Sequence, residues 1–435
     1  MEFYYNFIKR RDMAITIEKA LELIYENTPK KHLKILPIES VLDMVLAQDV
    51  VAVHNLPSYD NSAMDGYAVK VSAANKLVRV THTIFAGDDY KEELECGFGI
   101  KIMTGAKIPF GCECVVPIED VNLDSSSESK QDTEVNNTND KSYTITLPDN
   151  LELNRHIRFA GEDIKSGTTL LKTGQKLHAH HITLLASQGI SHVKVYKKPK
   201  IAIFASGNEL KMHFESVESY QLYNTNTPTF YARAEELGCE VEFIGTAHDT
   251  LEDIHTHIKS ALDCDLIITS GGVSVGDADF TKEAFGAFGY EIFFDKIEIK
   301  PGKPTTFGKI GSTCILNLPG NPLAAALNFE LFGQSIILAL SGTTNKYLST
   351  ITTKMADDYK LKLGRRTLVP GFFDGSTFEP YKKFAPGMIS PLAESNAYII
   401  IDENCGFLEK DSVVKILPTR FSFTCSDSIN LVSAN

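Results

Sequence analysis

The sequence predicts an α/β multidomain protein: a central doubly wound domain on a parallel sheet, a mixed α+β region before it and a small β domain after it. Three observations predict this. At 435 residues the chain exceeds one ordinary core, and roughly 100 to 200 residues per domain gives about three domains. From Lys200 the apolar runs alternate strand, helix, strand, helix, the pattern of a sheet covered on both faces. Before about Asp149 and after about Thr343 the runs are short and alternating, with Gly and Pro between them.

In chain order, Ile17, Leu21 and Ile24 recur at helical spacing, which predicts an amphipathic helix over Ile15 to Asn27. Short strands follow, among them Cys114 to Val121 and Tyr143 to Leu147. The intervening run from Asn122 to Ser142 is polar and low in complexity, and has too little apolar surface to order itself. In the central third, strands are expected at Ile201 to Ala205, Val241 to Gly245, Leu266 to Thr269, Ile292 to Ile299 and Cys314 to Leu318. Helices are expected at Pro228 to Leu237, at Leu251 to Leu262, after Asp279, and over Pro322 to Leu340. In the second of these, Leu251, Ile254, Ile258 and Leu262 share a face.

Composition excludes several classes. The hydrophobic content is 43%, and the most apolar stretches, such as Ser335 to Leu340, fall short of a span, which needs roughly 20 residues. No membrane segment is expected, and the opening MEFYYNFIKRRDM lacks the apolar core and cleavage site of a secretion signal. Met13 is a second candidate start. The eight cysteines are scattered without C-x-x-C pairs, which suits reduced thiols in a cytoplasmic protein. Cys112 and Cys114 alternate, which places both on one face of a strand and makes them packed thiols rather than a soft-metal pair. A net charge of −13 argues against nucleic acid, so any bound anion needs a local cluster of positive groups.

Ligands of open parallel sheets bind beyond the carboxyl ends of the strands. Three unusual loops are expected there. In the first, Ser270 to Asp279, Gly271, Gly272 and Gly276 let backbone N–H groups approach an oxyanion ahead of a helix. Asp277 stands where a phosphate-binding loop carries Lys, and Asp277 and Asp279 suit phosphates only with a hard cation between; alternatively Asp277 caps the helix. The second loop sets Lys300 and Lys303 among Pro301, Gly302 and Pro304, with Lys296 just before, which favours an anion site over solvated surface charge. In the third, Pro319 to Pro322, Asn321 is expected to cap a helix whose first residue is Pro322, leaving nearby N–H groups for a ligand. Elsewhere, Asp60, Asn61 and Asp65 crowd a turn at Gly66, Thr104 stands beside a glycine, and Arg158 to Asp163 reads RFAGED; each alone is more often a turn than a site.

Six pieces, DNSAMDGYAV, IMTGA, AGED, SGGVSVGDADFTK, IKPGKPTTFG and LPGNP, occur in an order and spacing that resembles the molybdopterin molybdenumtransferases, the bacterial MoeA proteins and the E domain of gephyrin. The resemblance runs from about Ile15 to Pro418. It implies an elongated homodimer of four structural domains: a region 14–198, in which a β subdomain of about 51–149 interrupts a linker subdomain, a molybdopterin-binding domain 199–342 and a β domain 343–435. The implied reaction loads molybdate onto adenylylated molybdopterin and releases AMP. It needs magnesium and a few lysines but no protein nucleophile, because the soft metal ligands belong to the substrate. By resemblance Asp279 and Asp249 handle magnesium and phosphate, Lys296 and Lys300 contact molybdate or phosphate, and Glu209 sits beside the pterin or nucleotide. Asp65, Thr104, Arg158 and Asp163 complete the cleft from the partner subunit, and Ser270, Ser274 and the neighbouring loop residues bind substrate with Lys303 and Pro319 to Pro322. Arg365 and Ser390 are the expected molybdate contacts of the tail.

The chain departs from the family pattern at Asn208 and Asn224, which stand for aspartates, and at Pro370, which stands for an arginine. Two other readings compete. The upstream adenylyltransferase, a possible partner that shares the central domain, is essentially that domain alone. A scaffold of the gephyrin kind does not require lysines and carboxylates at strand ends.

Overall fold

The structure is a computed structural model that describes residues 14–29, 32–123, 142–271 and 283–419. The opening segment with Met13, most of the polar run after Leu123, and Gly272, Ser274, Gly276, Asp277 and Asp279 lie outside the described residues. The chain forms two compact units: Asp49–Lys172 with Ala179–Ser191, and the remainder.

The first unit is built on a six-stranded sheet whose strands run in the order Cys114–Pro117, Gly66–Val69, Phe98–Ile102, Leu77–Ile84, Tyr143–Thr146, Asn122–Leu123. Alternation divides its side chains between two cores. Tyr67, Val69, Val78, Val80 and Val116 pack on one face, and Ala68, Ile84, Ile100 and Val115 on the other. The strand expected over Cys114 to Val121 stops at Pro117 and turns through a 3-10 helix at Ile118–Asp120. Cys112 precedes that strand rather than sharing its face with Cys114. It donates to the Cys114 carbonyl at 3.2 Å, and burial pushes its thiol up to about 12, which suits a packed thiol.

In the second unit the central sheet has six strands: β1 (Lys200–Ser206), β2 (Glu240–Ala247), β3 (Leu266–Ser270), β4 (Glu291–Phe294), β5 (Thr306–Ile310) and β6 (Thr313–Leu318), in the spatial order β2-β1-β3-β6-β5-β4. The first four in space are parallel; β6 to β5 and β5 to β4 are antiparallel. The sheet is buried on both faces. Ile201, Ile203, Leu266, Ile268, Leu316 and Leu318 point to one core, while Ala202, Phe204, Ile267 and Ile315 point to the other. The helix Ile17–Asn27, capped by Thr16, buries Ile17, Ala20 and Ile24 in the same core as β1 and β3. The helix Leu251–Ala261 covers the second face with Ile254 and Ile258.

Pro322–Asn328 continues through a π-helical turn, Phe329–Gly333, into Gln334–Ser341. This run is longer than the apolar stretch read from sequence, and by length and composition alone it is sufficient for a membrane span. Most of it is buried against the sheet, as in a core helix.

One expected strand is corrected. Ile292 to Ile299 is not a single element: β4 ends at Phe294, Ile297 bridges Ile15, and Ile299–Lys300 joins a different sheet, pairing with Arg366 and Thr367. That sheet is the tail. Arg366–Phe373, Thr377–Pro380, Ile351–Met355, Val413–Pro418 and Ala397–Ile401 pair in sequence, and the last pairs back to the first, closing a small barrel around Met355, Val369, Phe378 and Ile416.

Candidate functional site

The chain leaves β1 through the helix Asn226–Glu236 to reach β2 on one side, then crosses by Leu251–Ala261 to β3 on the other. The switch point therefore lies between the carboxyl ends of β1 and β3, where open sheets hold ligands. Gly207 to Glu209 follow β1 there, and Gly271 follows β3. Gly271 has φ +97°, and a Cβ on it would lie 2.4 Å from the Ser206 carbonyl oxygen, so only glycine lets the two strand ends meet. Asp249 and Pro319 to Asn321 flank this crevice at the ends of β2 and β6.

The edge is stitched from beneath. Asn226 Nδ2, on a nearly buried residue, donates to Ser270 Oγ at 2.6 Å and to the Gly320 carbonyl at 2.8 Å. Ser270 Oγ donates on to the Pro319 carbonyl, and Thr269 Oγ1 donates to Asn317 Oδ1 at 2.6 Å. The Ser270 hydroxyl, expected to face substrate, is thus engaged in holding the loops together. Asn321 occupies the helix N-cap position, but its side chain makes no capping bond. Contrary to the expectation of N–H groups left for a ligand, Leu323 and Ala324 donate to the Pro386 carbonyl at 2.9 and 3.3 Å.

On the β1 and β2 side, Asn208 and Asp249 are paired reciprocally. Asn208 N–H donates to Asp249 Oδ2 at 3.2 Å, and Asp249 N–H donates to Asn208 Oδ1 at 3.3 Å. An amide at 208 accepts that N–H as a carboxylate would, so the departure there keeps the loop's shape. Asn224 is buried and accepts the Thr227 N–H at 3.2 Å while its amide donates to Thr246 Oγ1, a structural role at the start of the Asn226–Glu236 helix. Glu209 and Asp249 are both exposed at the crevice.

Since β4 and β6 are both antiparallel to β5, they run parallel to each other, and the lysine loop leaves the carboxyl end of β4 on the same sheet edge as the other two loops, as expected, but from Phe294 rather than from near Ile299. It runs from β4 to the barrel and back to β5, closed by a bond from Ile297 N–H to the Lys303 carbonyl at 2.9 Å. Lys300 and Lys303 are exposed and Lys296 is half-buried, with its carbonyl accepting Ile15 N–H. A cavity of about 360 Å³ is lined by Lys303 and Arg365 together with Arg366, Thr16 and Glu298. Arg366 is paired with Glu18 and Glu403, whereas Arg365 offers an exposed guanidinium to the cavity. Ser390 opens the short helix Ser390–Glu394 and is exposed. Pro370 lies inside a barrel strand opposite Tyr398, and its carbonyl accepts Tyr381 N–H.

The other unit gathers its own predicted residues. Asp65 Oδ1 accepts both the N–H and the hydroxyl of Thr104, at 2.7 and 2.9 Å, and these bonds hold its carboxyl below the usual range. Arg158 pairs with Asn61 in a two-residue ladder, Asp60 accepts Ala160 N–H at 2.7 Å, and Asp163 N–H donates to Leu56. Three segments distant in sequence therefore form one edge, with Asp65, Thr104, Arg158 and Asp163 exposed on it.

Asn226, Asn328 and Thr305 were missed as contributors. The available signals were the polar cluster Asn224 to Thr227 before a helix, and a lone amide in the apolar run from Leu323 to Leu331.

Comparison with known proteins agrees along the length of the chain. Residues 15–189 match the MoeA N-terminal region (domain I and II), 202–339 a probable molybdopterin binding domain, and 352–419 the MoeA C-terminal region (domain IV). The molybdopterin molybdenumtransferase of Haemophilus influenzae is 33% identical over 417 residues, covering 93% of this chain and 98% of that protein. The Staphylococcus aureus enzyme of the same name is 30% identical, covering 93% and 96%. The crystal structure of a molybdopterin biosynthesis MoeA protein from Pyrococcus horikosii superposes with a TM-score of 0.78 at 26% identity, over 94% of this chain and all of that one. With matching regions in the same order and near-complete mutual coverage, the chain belongs to the molybdopterin molybdenumtransferase family, the MoeA proteins.

Proposed function

We propose that this protein inserts molybdate into adenylylated molybdopterin, cleaving the phosphoanhydride and releasing AMP. The observation that carries the reading is the lysine loop held between central sheet and barrel, with Lys303 and Arg365 on one cavity in a chain of net charge −13. Cationic groups held in place by folded structure stabilise an oxyanion without reorganising during reaction. Lys300 and Lys303 then hold molybdate, Lys296 contacts molybdate or phosphate beside them, Arg365 and Ser390 assist from the barrel, and the loops at Gly271 and at Pro319 to Pro322 flank the substrate. Glu209 lies beside the pterin or nucleotide.

The crevice also suits magnesium. Asp249 is exposed at the strand end with Asn208 and Glu209 beside it, a set of oxygen donors that matches a hard cation. Asp249 would hold the ion together with Asp279, which lies outside the described residues. The ion would neutralise phosphate charge, and the residues of the chain would orient the two substrates. We take the domain bounds as 14–198, 199–342 and 343–435. The protein works as a cytoplasmic homodimer, with Asp65, Thr104, Arg158 and Asp163 facing the partner's crevice, and it receives substrate from the adenylyltransferase.

The test is AMP release from adenylylated molybdopterin with magnesium, with and without molybdate. Wild type releases AMP in a molybdate-dependent way, and Lys300→Ala and Asp249→Ala each lower the rate about a hundredfold. A folded wild type that releases none would remove the insertase reading.

A further inference from the structure

The lysine loop is fastened by a residue that no part of the reaction requires. Asn328 lies on the helix that ends at the π-helical turn, and it is completely buried. Its Nδ2 donates to the Pro301 carbonyl at 3.1 Å and to the Ala324 carbonyl at 2.7 Å. Its Oδ1 lies 3.1 Å from Thr305 Oγ1, which donates to it or to the Gly302 carbonyl at 2.9 Å. Gly302 has φ +110°, and a Cβ there would come within 1.8 Å of the Asn328 amide, so glycine is what allows the amide so close to the loop. Pro301 and Thr305 are buried while Lys300 and Lys303 project outward. Two like charges three residues apart gain by moving apart, and a loop resting on surface contacts alone would allow it. A buried amide bonded at both ends of Pro301 to Thr305 does not.

We propose that Asn328, acting with Thr305, is a positioning residue that sets Lys300 and Lys303 as a preformed subsite for a tetrahedral oxyanion, the molybdate of the reaction. Its amide touches loop backbone and the Thr305 hydroxyl, and the lysines touch the anion. The inference rests on the insertase reading for its choice of anion. The geometry predicts a separation of effects: the loop's fastening governs how tightly molybdate is held, and leaves the binding of the pterin nucleotide alone.

Thr305→Val removes the hydroxyl and keeps the bonds from Asn328 to Pro301 and Ala324, so it loosens one end of the loop without emptying the helix. In molybdate-dependent AMP release it should raise half-saturating molybdate about tenfold, the weight of one lost hydrogen bond. The KM for adenylylated molybdopterin should stay within about twofold of wild type, and Thr305→Ser should restore molybdate dependence to a similar margin. Asn328→Ala should raise half-saturation further. A folded Thr305→Val with wild-type molybdate dependence overturns the proposal, as does a fall in kcat at unchanged half-saturation. If the wild type releases no AMP, the insertase reading is what fails, and calorimetric titration of molybdate onto the same proteins decides this one. Weaker binding by Thr305→Val supports it, and equal binding overturns it.

Discussion

The two compact units hold their exposed polar groups by different means. In the unit with the central sheet, the crevice and lysine loop rest on buried amides: Asn226 beneath the strand ends and Asn328 beneath the loop, both nearly or wholly without solvent contact. In the other unit, Asp65 and Thr104 are fastened to each other at the surface by bonds between exposed groups. The difference lies in what a lost bond leaves behind. A surface group that loses its partner finds water, whereas a buried one stays unsatisfied at a cost of about 1–3 kcal/mol. Disturbing the first region should therefore damage stability and activity together, and disturbing the second should separate them.

The largest effect is expected from Asn226→Ala, which leaves Ser270 Oγ without its 2.6 Å donor and the Gly320 carbonyl without its 2.8 Å donor. Unfolding in urea should show a loss of about 3 kcal/mol, with AMP release falling in parallel. A variant as stable as wild type would mean that water reaches this edge, and the contrast between buried and surface fastening would fail on its stronger side.

The same contrast explains what the sequence disclosed and what it withheld. The parallel part of the central sheet was legible because Ile201 to Ala205, Leu266 to Thr269 and Cys314 to Leu318 are apolar runs buried on both faces, and such runs are local signals. The strand Thr306–Ile310 was missed because Gly308 and Lys309 interrupt its apolar pattern, and it is recruited by a hairpin through Gly311. The run from Ile292 to Ile299 reads as one strand because Phe294, Ile297 and Ile299 are all buried in one core, yet their backbones pair with three different partners, Phe307, Ile15 and Arg366. The lysines were legible as a cluster, but their attachment to the barrel depends on pairing with Arg366 and Thr367, far along the chain. The buried amides were the least legible: Asn226 reaches partners 44 and 94 positions away, and nothing local distinguishes such an amide from a cap.

A smaller structural effect with a clear functional one is expected from Asp65→Asn. Both Thr104 bonds go to Oδ1, so an amide oxygen there still accepts both, but the charge that they favour is gone. AMP release should fall about ten- to hundredfold through lost positioning, while the thermal midpoint stays at the wild-type value. A matching drop in thermal midpoint would show that the surface fastening also carries stability, and would erase the distinction between the two regions.

The smallest effect sharpens the comparison, because it concerns a carboxylate fastened like Asp65 but remote from any predicted site residue. Asp374 accepts the N–H groups of Thr377 and Ser376 at 2.7 and 2.8 Å, with both hydroxyls in reach, at a turn of the barrel. These backbone bonds lower its carboxyl to about 2, below the 3.8 of an ordinary Asp. A carboxyl depressed in the folded state contributes stability above the ordinary value and loses it as pH falls through the folded one, so the contribution is complete at neutral pH and fades between about 4 and 2. The group is exposed, and solvent screening keeps the contribution well under 1 kcal/mol. Asp374→Asn should therefore lower the thermal midpoint slightly at pH 7, converge with wild type near pH 2, and leave molybdate-dependent AMP release untouched. Bonds of the same kind would then affect activity at Asp65 and only stability at Asp374, because location in the fold, rather than bond strength, decides which property a surface carboxylate supports. Loss of activity in Asp374→Asn would instead tie this turn of the barrel to the reaction.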